Sequence, residues 1–329
     1  MAGIAVVLFG PEGQGGFNQA GLAGVERAQA ALSGIEVFWC EPPAERAAFL
    51  RGLAERGFEL IIAHGGQGDA PVAAVAPLFP ACCFVVTQGA HPAPNVSTYE
   101  ALQEQSAYLA GVLAATFTRS GVVAHMSGER VRPGLHGRAA FADGVRRTRP
   151  EVRLLTCFCG DQHDAALARR VVLQQADAGA DVLFAMIDGG RAGAIEACRA
   201  RGVSQIGNVF DWTLREPGVF IASAIADSGM CIELAARDHA SGALRMGVHR
   251  SFGLETGDVV RLALALRVDA LAVAAVERAR LGLLGGAIVP ATEYSGAEML
   301  LARRQGQASR VRRGLPRQRS RGARAFRSA

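Results

Sequence analysis

"IAVVLFGPEGQGGFNQAG", residues 4–21, carries the decisive pattern. Six consecutive apolar residues, Ile4–Phe9, read as a strand buried on both faces. A glycine-rich loop follows, and from Phe17 the spacing turns helical: Leu22, Val25, Ala28 and Leu32 share one face. Strand, glycine loop, helix is the opening of an α/β unit. The loop is not a phosphate cradle. Counted from Gly13, the third glycine of G-x-G-x-x-G falls on Asn18. A phosphate loop begun at Gly10 needs lysine after Gly15 and meets Gly16.

The same unit recurs along the chain. Strands are expected at Ile4–Phe9, Ile35–Trp39, Leu60–Ala63, Cys83–Thr87, Val122–His125, Val152–Thr156, Val182–Met186, Ser204–Gly207 and Val219–Ala222. Helical spacing fills the gaps, so the fold class is α/β with parallel sheets. "NVSTYEALQEQSAYLAGVLAATFTRSG", from Asn95, is expected to be one long helix with a Ser97/Glu100 capping box. It separates two series of units. This suggests two similar lobes joined by crossing segments, with a cleft at the carboxyl ends of the strands. The N-terminal lobe is expected to take 1–118 with a return segment near 225–255. The second takes 119–224 with a return near 256–300.

Composition narrows the function. All 35 basic residues are arginine. That excludes a Schiff-base lysine and a phosphate-loop lysine. Residues 302–329 hold ten arginines and no acid, so the charge of +5 becomes −5 without them. They read as an arginine-rich disordered tail, suited to nucleic acid or an anionic surface, or else as a mere extension. Seven cysteines form no C-x-x-C and read as small buried thiols. No apolar run reaches membrane-spanning length; the best, "LALALRVDALAVAAV", is cut by Arg267 and Asp269. No export signal precedes Ile4. The chain as written therefore reads as cytoplasmic, or its leader lies outside the sequence given.

The strand ends carry amides, carboxylates and aromatics rather than activated nucleophiles. After the first strand come Phe17 and Asn18; after others, Gln88; then Asp188, Gly189, Gly190 and Arg191; then Asn208, Asp211 and Trp212. Such a set suits a ligand site with a few placed polar groups. Phe17 has two readings, a ring that stacks on a flat ligand or a staple onto its own helix. Asn18 is either a cap or a reader of the ligand's edge. An enzymatic alternative rests on His64 and Asp69 as an acid–base pair. No H-E-x-x-H or G-x-S-x-G is present. No metal site and no cofactor are expected.

Taken together, "GGFNQAGLAG", "NVSTYEALQEQSAYLAGVLAATFTRSGVVAHMSG", "FADGVRR", "ADAGADVLFAMIDGG" and "IGNVFDWTLREPGVFIASAIAD" resemble the basic membrane protein family of ABC-transporter substrate-binding proteins. These are purine-nucleoside-binding relatives of the type I periplasmic binding proteins. The resemblance runs from about Ile4 to about Pro290. It implies two Rossmann-like lobes, a hinged cleft that closes on a nucleoside or similar heterocycle without catalysis, and an ABC permease as partner. It also implies a place outside the membrane, often through a lipidated cysteine that no residue before the first strand supplies. Its ligand positions fall on Phe17, Asn18, the Gln88 loop, Gly189–Gly190 and Asp211. This chain departs from the pattern in four places. Gln88 stands where an aspartate is usual. Asp188 and Arg191 interrupt a small glycine-rich loop, and Arg191 suits an anionic ligand. Of a carboxylate pair only Asp211 remains, and Ala226, beside Asp227, replaces a lysine. A cytoplasmic ligand sensor of the same fold is the other non-catalytic reading.

Overall fold

A computed structural model describes residues 3–10, 12–13 and 16–301; the arginine-rich segment 302–329 lies outside the described residues. Two six-stranded sheets organise the chain. The first contains β1 (Ile4–Leu8), β2 (Ile35–Trp39), β3 (Leu60–His64), β4 (Cys83–Thr87), β5 (Val96–Ala101) and β11 (His249–Phe252). Its order is β11-β5-β4-β3-β1-β2, parallel throughout. The second contains β6 (Val122–Ser127), β7 (Arg153–Phe158), β8 (Val182–Met186), β9 (Ser204–Asn208), β10 (Phe220–Ala226) and β12 (Val260–Leu264). Its order is β12-β10-β9-β8-β6-β7, and β12 alone runs antiparallel.

All nine expected strands are present. β1, β3 and β8 are buried at every position, as helix-covered central strands must be. The segment from Asn95 corrects the reading of one long helix. Val96–Ala101 is β5, and the helix α4 begins only at Gln103 and ends at Phe117. Val96, Thr98 and Tyr99 favour extended backbone. The Ser97 hydroxyl donates to the Arg245 carbonyl instead of capping a helix.

Among the described residues, ten α-helices flank the sheets: α1 (Gly16–Ala31), α2 (Arg46–Glu55), α3 (Asp69–Val75), α4, α5 (Arg132–Thr148), α6 (Ala165–Asp177), α7 (Arg191–Arg201), α8 (Trp212–Arg215), α9 (Ser228–Ala240) and α10 (Ala270–Leu284). The chain passes between the sheets three times: at Leu102, after β10, and between β11 and β12. Helices follow these crossings. α4, which the boundary at residue 118 groups with the first half, packs on β8, β10 and β12 and against α5. α9 returns to the first sheet, against α1 and β3–β5. There the two helices approach so closely that a methyl on Gly24 would enter the Gly229 carbonyl, and one on Gly229 the Ala20 carbonyl. Arg27 of α1 ties the same interface to Asp227 and Glu233.

Candidate functional site

Two contacts bring the carboxyl ends of the sheets together. Asp188, after β8, accepts from the Phe17 backbone N–H at the start of α1. Gly16, at φ +64°, lies so close to Asp188 that any side chain there would collide with the carboxylate. Arg132, at the start of α5, donates to the Gln88 carbonyl (2.7 Å) and pairs with Glu100 of β5 (2.9 Å). A carboxylate at a helix N-terminus is favoured by both the free N–H groups and the helix dipole. Burial nonetheless pushes the Asp188 carboxyl upward, against the opposing pull of Arg191, His163 and the Phe17 N–H.

On the first half, Phe17 lies flat on His64, with ring centroids 4.2 Å apart and planes within 16°. His64 is fully buried, and burial lowers its pKa to about 4. The Phe17 carbonyl can only accept, so Nε2 of the neutral ring donates and Nδ1 accepts from the Thr87 hydroxyl (2.9 Å), which itself accepts from the Gly65 N–H. The proton of the neutral ring therefore sits on Nε2, which donates to the Phe17 carbonyl (3.2 Å). His64 is thus the bed of Phe17. Asp69 accepts instead from the Ala90 N–H, so the proposed His64/Asp69 acid–base pair does not form: both imidazole nitrogens are already used. Phe17 lies within α1 and is half-buried, which makes its support the imidazole below and not a staple. Asn18 Nδ2 donates to the Phe9 carbonyl (2.9 Å), which leaves Oδ1 buried and without a hydrogen-bond partner.

Gln88 departs from its expected role. Its side-chain amide pairs with the Ala101 backbone in both directions, accepting from N–H (2.9 Å) and donating to C=O (3.4 Å). That amide fixes the first crossing rather than facing the cleft. Its φ of +55° is one of two positive values among described non-glycine residues; the other is +68° at Val209. Both sit where a strand of the cleft ends. A β-branched residue in this conformation is strained, and the surrounding structure must hold it there.

On the second half, Arg191 opens α7 and is almost fully buried. Nη2 donates to the Ile187 carbonyl and to Asn208 Oδ1. The guanidinium lies 4.7 Å from the centroid of Trp212. Burial lowers its pKa to about 10, so it remains charged at neutral pH. Trp212 is occupied within the protein, stacked on Phe220 with Arg191 and Arg215 over its ring. Asp211 caps α8 through the Thr213 N–H (3.0 Å) and hydroxyl (2.5 Å). Gly190 caps α7 and Gly189 borders His163. Next to Asn208 is a cavity of about 20 Å³, bordered by Gln103, Ser106, Phe184, Met186, Val209 and Ala226. It has room for about one water.

The structure therefore places Phe17 and Asn18 together at the start of α1, and joins Arg191 to Asn208 after β8 and β9. Asp211, Trp212 and Gln88 serve their own loops. Sequence reasoning missed His64 as the support of Phe17 and the cross-cleft roles of Asp188 and Arg132. Only their places after strands hinted at these. Among the described residues, no three His, Cys, Asp or Glu side chains gather where a metal could be held.

Residues 2–274 match the model of the Bmp family, described as ABC transporter substrate-binding protein PnrA-like. The chain belongs to this family. Like it in sequence is a purine-binding protein of Brucella abortus, 24% identical over 69% of this chain and 65% of that protein. The match thus spans just under two thirds of that relative's length. Two solved structures share the fold. An ABC transporter solute-binding protein from Aeropyrum pernix K1 has a TM-score of 0.78 at 20% identity, covering 89% of this chain and 94% of its own. A transcriptional activator of the comK gene from Bacillus halodurans has 0.75 at 19%, covering 88% and 100%. No helix among the described residues is long and apolar enough to cross a membrane.

Proposed function

We propose that this PnrA-like protein binds a nucleoside or similar heterocycle between its two sheets, without chemical change, and delivers it to an ABC importer. The observation that carries the reading is the Phe17–His64 stack beside the unpartnered Asn18 Oδ1. A ring held flat on a neutral imidazole presents an apolar face, and a buried acceptor next to it asks for a donor from a ligand edge. The purine-binding relative supports the ligand class. The cavity at the second sheet is too small for a heterocycle, so entry requires the halves to part at the crossings and reclose. The moving bodies we propose follow the two sheets and divide at the three crossings, Leu102, the end of β10 and the segment between β11 and β12, with α4 carried by the second. As an importer component the protein works outside the membrane. A cytoplasmic sensor would use the same cleft and differ only in its partner.

A thermal-shift screen of nucleosides, nucleobases, flavins and amino acids tests the proposal. A cleft ligand at 100 times its Kd stabilises by about 2.7 kcal/mol. Chemical conversion of the hit would overturn the non-catalytic reading. Stabilisation by amino acids alone would overturn the ligand class.

A further inference from the structure

Arg191 is only 5% exposed, yet no carboxylate among the described residues forms an ion pair with it. Asp188 acts on its charge through space but turns its carboxylate to the Phe17 N–H. Two neutral oxygens and the Trp212 ring hold the guanidinium plane in position. Nη1 is buried and has no hydrogen-bond partner. Asp188 offsets part of the cost of burying this cation without touching it, and the unpaired Nη1 stays desolvated with no compensating hydrogen bond. Such a group is usually relieved by rotation to solvent, which the three contacts on Arg191 prevent. Asn208 continues the pattern. Its Oδ1 faces Arg191, so its amide nitrogen is directed elsewhere, and the residue borders the small cavity. Two donors thus sit together after β8 and β9: the buried, unpartnered Arg191 Nη1 and the amide nitrogen of the Asn208 that holds it.

We infer that Arg191 Nη1 and Asn208 Nδ2 form an oxyanion subsite, which takes the carboxylate or phosphate of a heterocyclic ligand. The inference rests on the cleft reading above and narrows its ligand class. A planar guanidinium with one edge still unused matches either group.

Isothermal titration with two matched pairs tests it: uracil against orotate, and inosine against inosine 5′-monophosphate. In at least one pair the charged member binds roughly ten- to a hundredfold tighter, as for a hydrogen bond to a charged group. A preference for orotate identifies a ring carboxylate, and one for the monophosphate identifies a phosphate. Arg191→Met keeps the stem on Trp212 and brings the ratio close to one; Arg191→Lys retains part of it. The wild-type ratio decides the matter even if a variant fails to fold. Equal affinities in both pairs, or preference for the neutral members, overturn the subsite and leave the cleft reading standing. Absence of saturable binding by all four, with folding intact by circular dichroism, counts against both.

Discussion

His64 holds Phe17 from beneath: the rings stack at 4.2 Å while the imidazole Nε2 binds the Phe17 carbonyl at 3.2 Å. One buried histidine on β3 thereby fixes both the ring and the backbone at the start of α1. The Phe17 carbonyl puts the proton on Nε2, and the Thr87 hydroxyl on β4, directly across in the ladder, donates to the other nitrogen.

Phe17→Ala is expected to weaken an aromatic cleft ligand by about 1–3 kcal/mol, the range for base stacking on an aromatic side chain. Titration against Trp212 fluorescence measures this. An unchanged Kd would take Phe17 out of the site.

Acid should destabilise the protein through two histidines. His125 on β6 repeats the threonine contact of His64, its Nδ1 at 2.9 Å from the Thr156 hydroxyl on β7, while its Nε2 is buried without a hydrogen-bond partner. Burial lowers His64 to about 4 and His125 to about 3. A base with a depressed folded pKa is fully stabilising above its unfolded value near 6.5. That stability is lost as pH falls through the folded pKa. Denaturant midpoints should therefore drop steadily from pH 6.5 toward 4, each histidine contributing on the order of 3 kcal/mol. His125→Phe, placed among Phe141, Phe158 and Phe184, should remove about half of that dependence. A variant with the wild-type pH profile would show that His125 is protonated elsewhere in the range.

Gly16→Ala should open the cleft. A methyl at that position meets Asp188, and φ +64° is unfavourable for alanine. Small-angle scattering is expected to give a larger radius of gyration than wild type, and Asp188→Gly, which removes the Cβ as well as the carboxylate, should restore compactness in the double variant. Identical scattering from Gly16→Ala and wild type would mean that the contact does not hold the halves together.

Glu298 anchors the chain after α10. It pairs with Arg130 and with Arg138, whose guanidinium lies between Phe158 (4.9 Å) and Tyr294 (4.7 Å). The next residue, Met299, donates its N–H to Thr156 on β7 (2.8 Å). Glu298→Ala leaves Arg138 buried without a partner and should cost about 3 kcal/mol. Arg138→Met in the same background should recover much of the loss. A single variant that melts like wild type would assign the anchoring to Met299 instead.

Much of the architecture was legible because buried parallel strands are apolar at every position, as at Ile4–Leu8 and Leu60–His64. Such runs announce themselves locally. β5 was misread because S-x-x-E spacing fits a capping box wherever it occurs, while the pairing that makes Val96–Ala101 a strand comes from β4 and β11. β11 escaped notice since His249–Phe252 is a short polar edge. In the site, Phe17, Asn18, Arg191 and Asn208 were recognisable as polar or aromatic residues after strands. That Gln88 would spend its amide on Ala101, or that Asp211 would close its own turn, was not.

Sequence alone determined the α/β class, the family, and the residues available at each strand end, because these depend on hydrophobic period and local order. Only the tertiary structure decided which of them come together. Hydrogen-bond partners such as His64 with Phe17, or Arg191 with Asn208, lie up to 47 residues apart. Each polar group takes the partner that three-dimensional packing puts within reach, and only the groups left without one remain for a ligand.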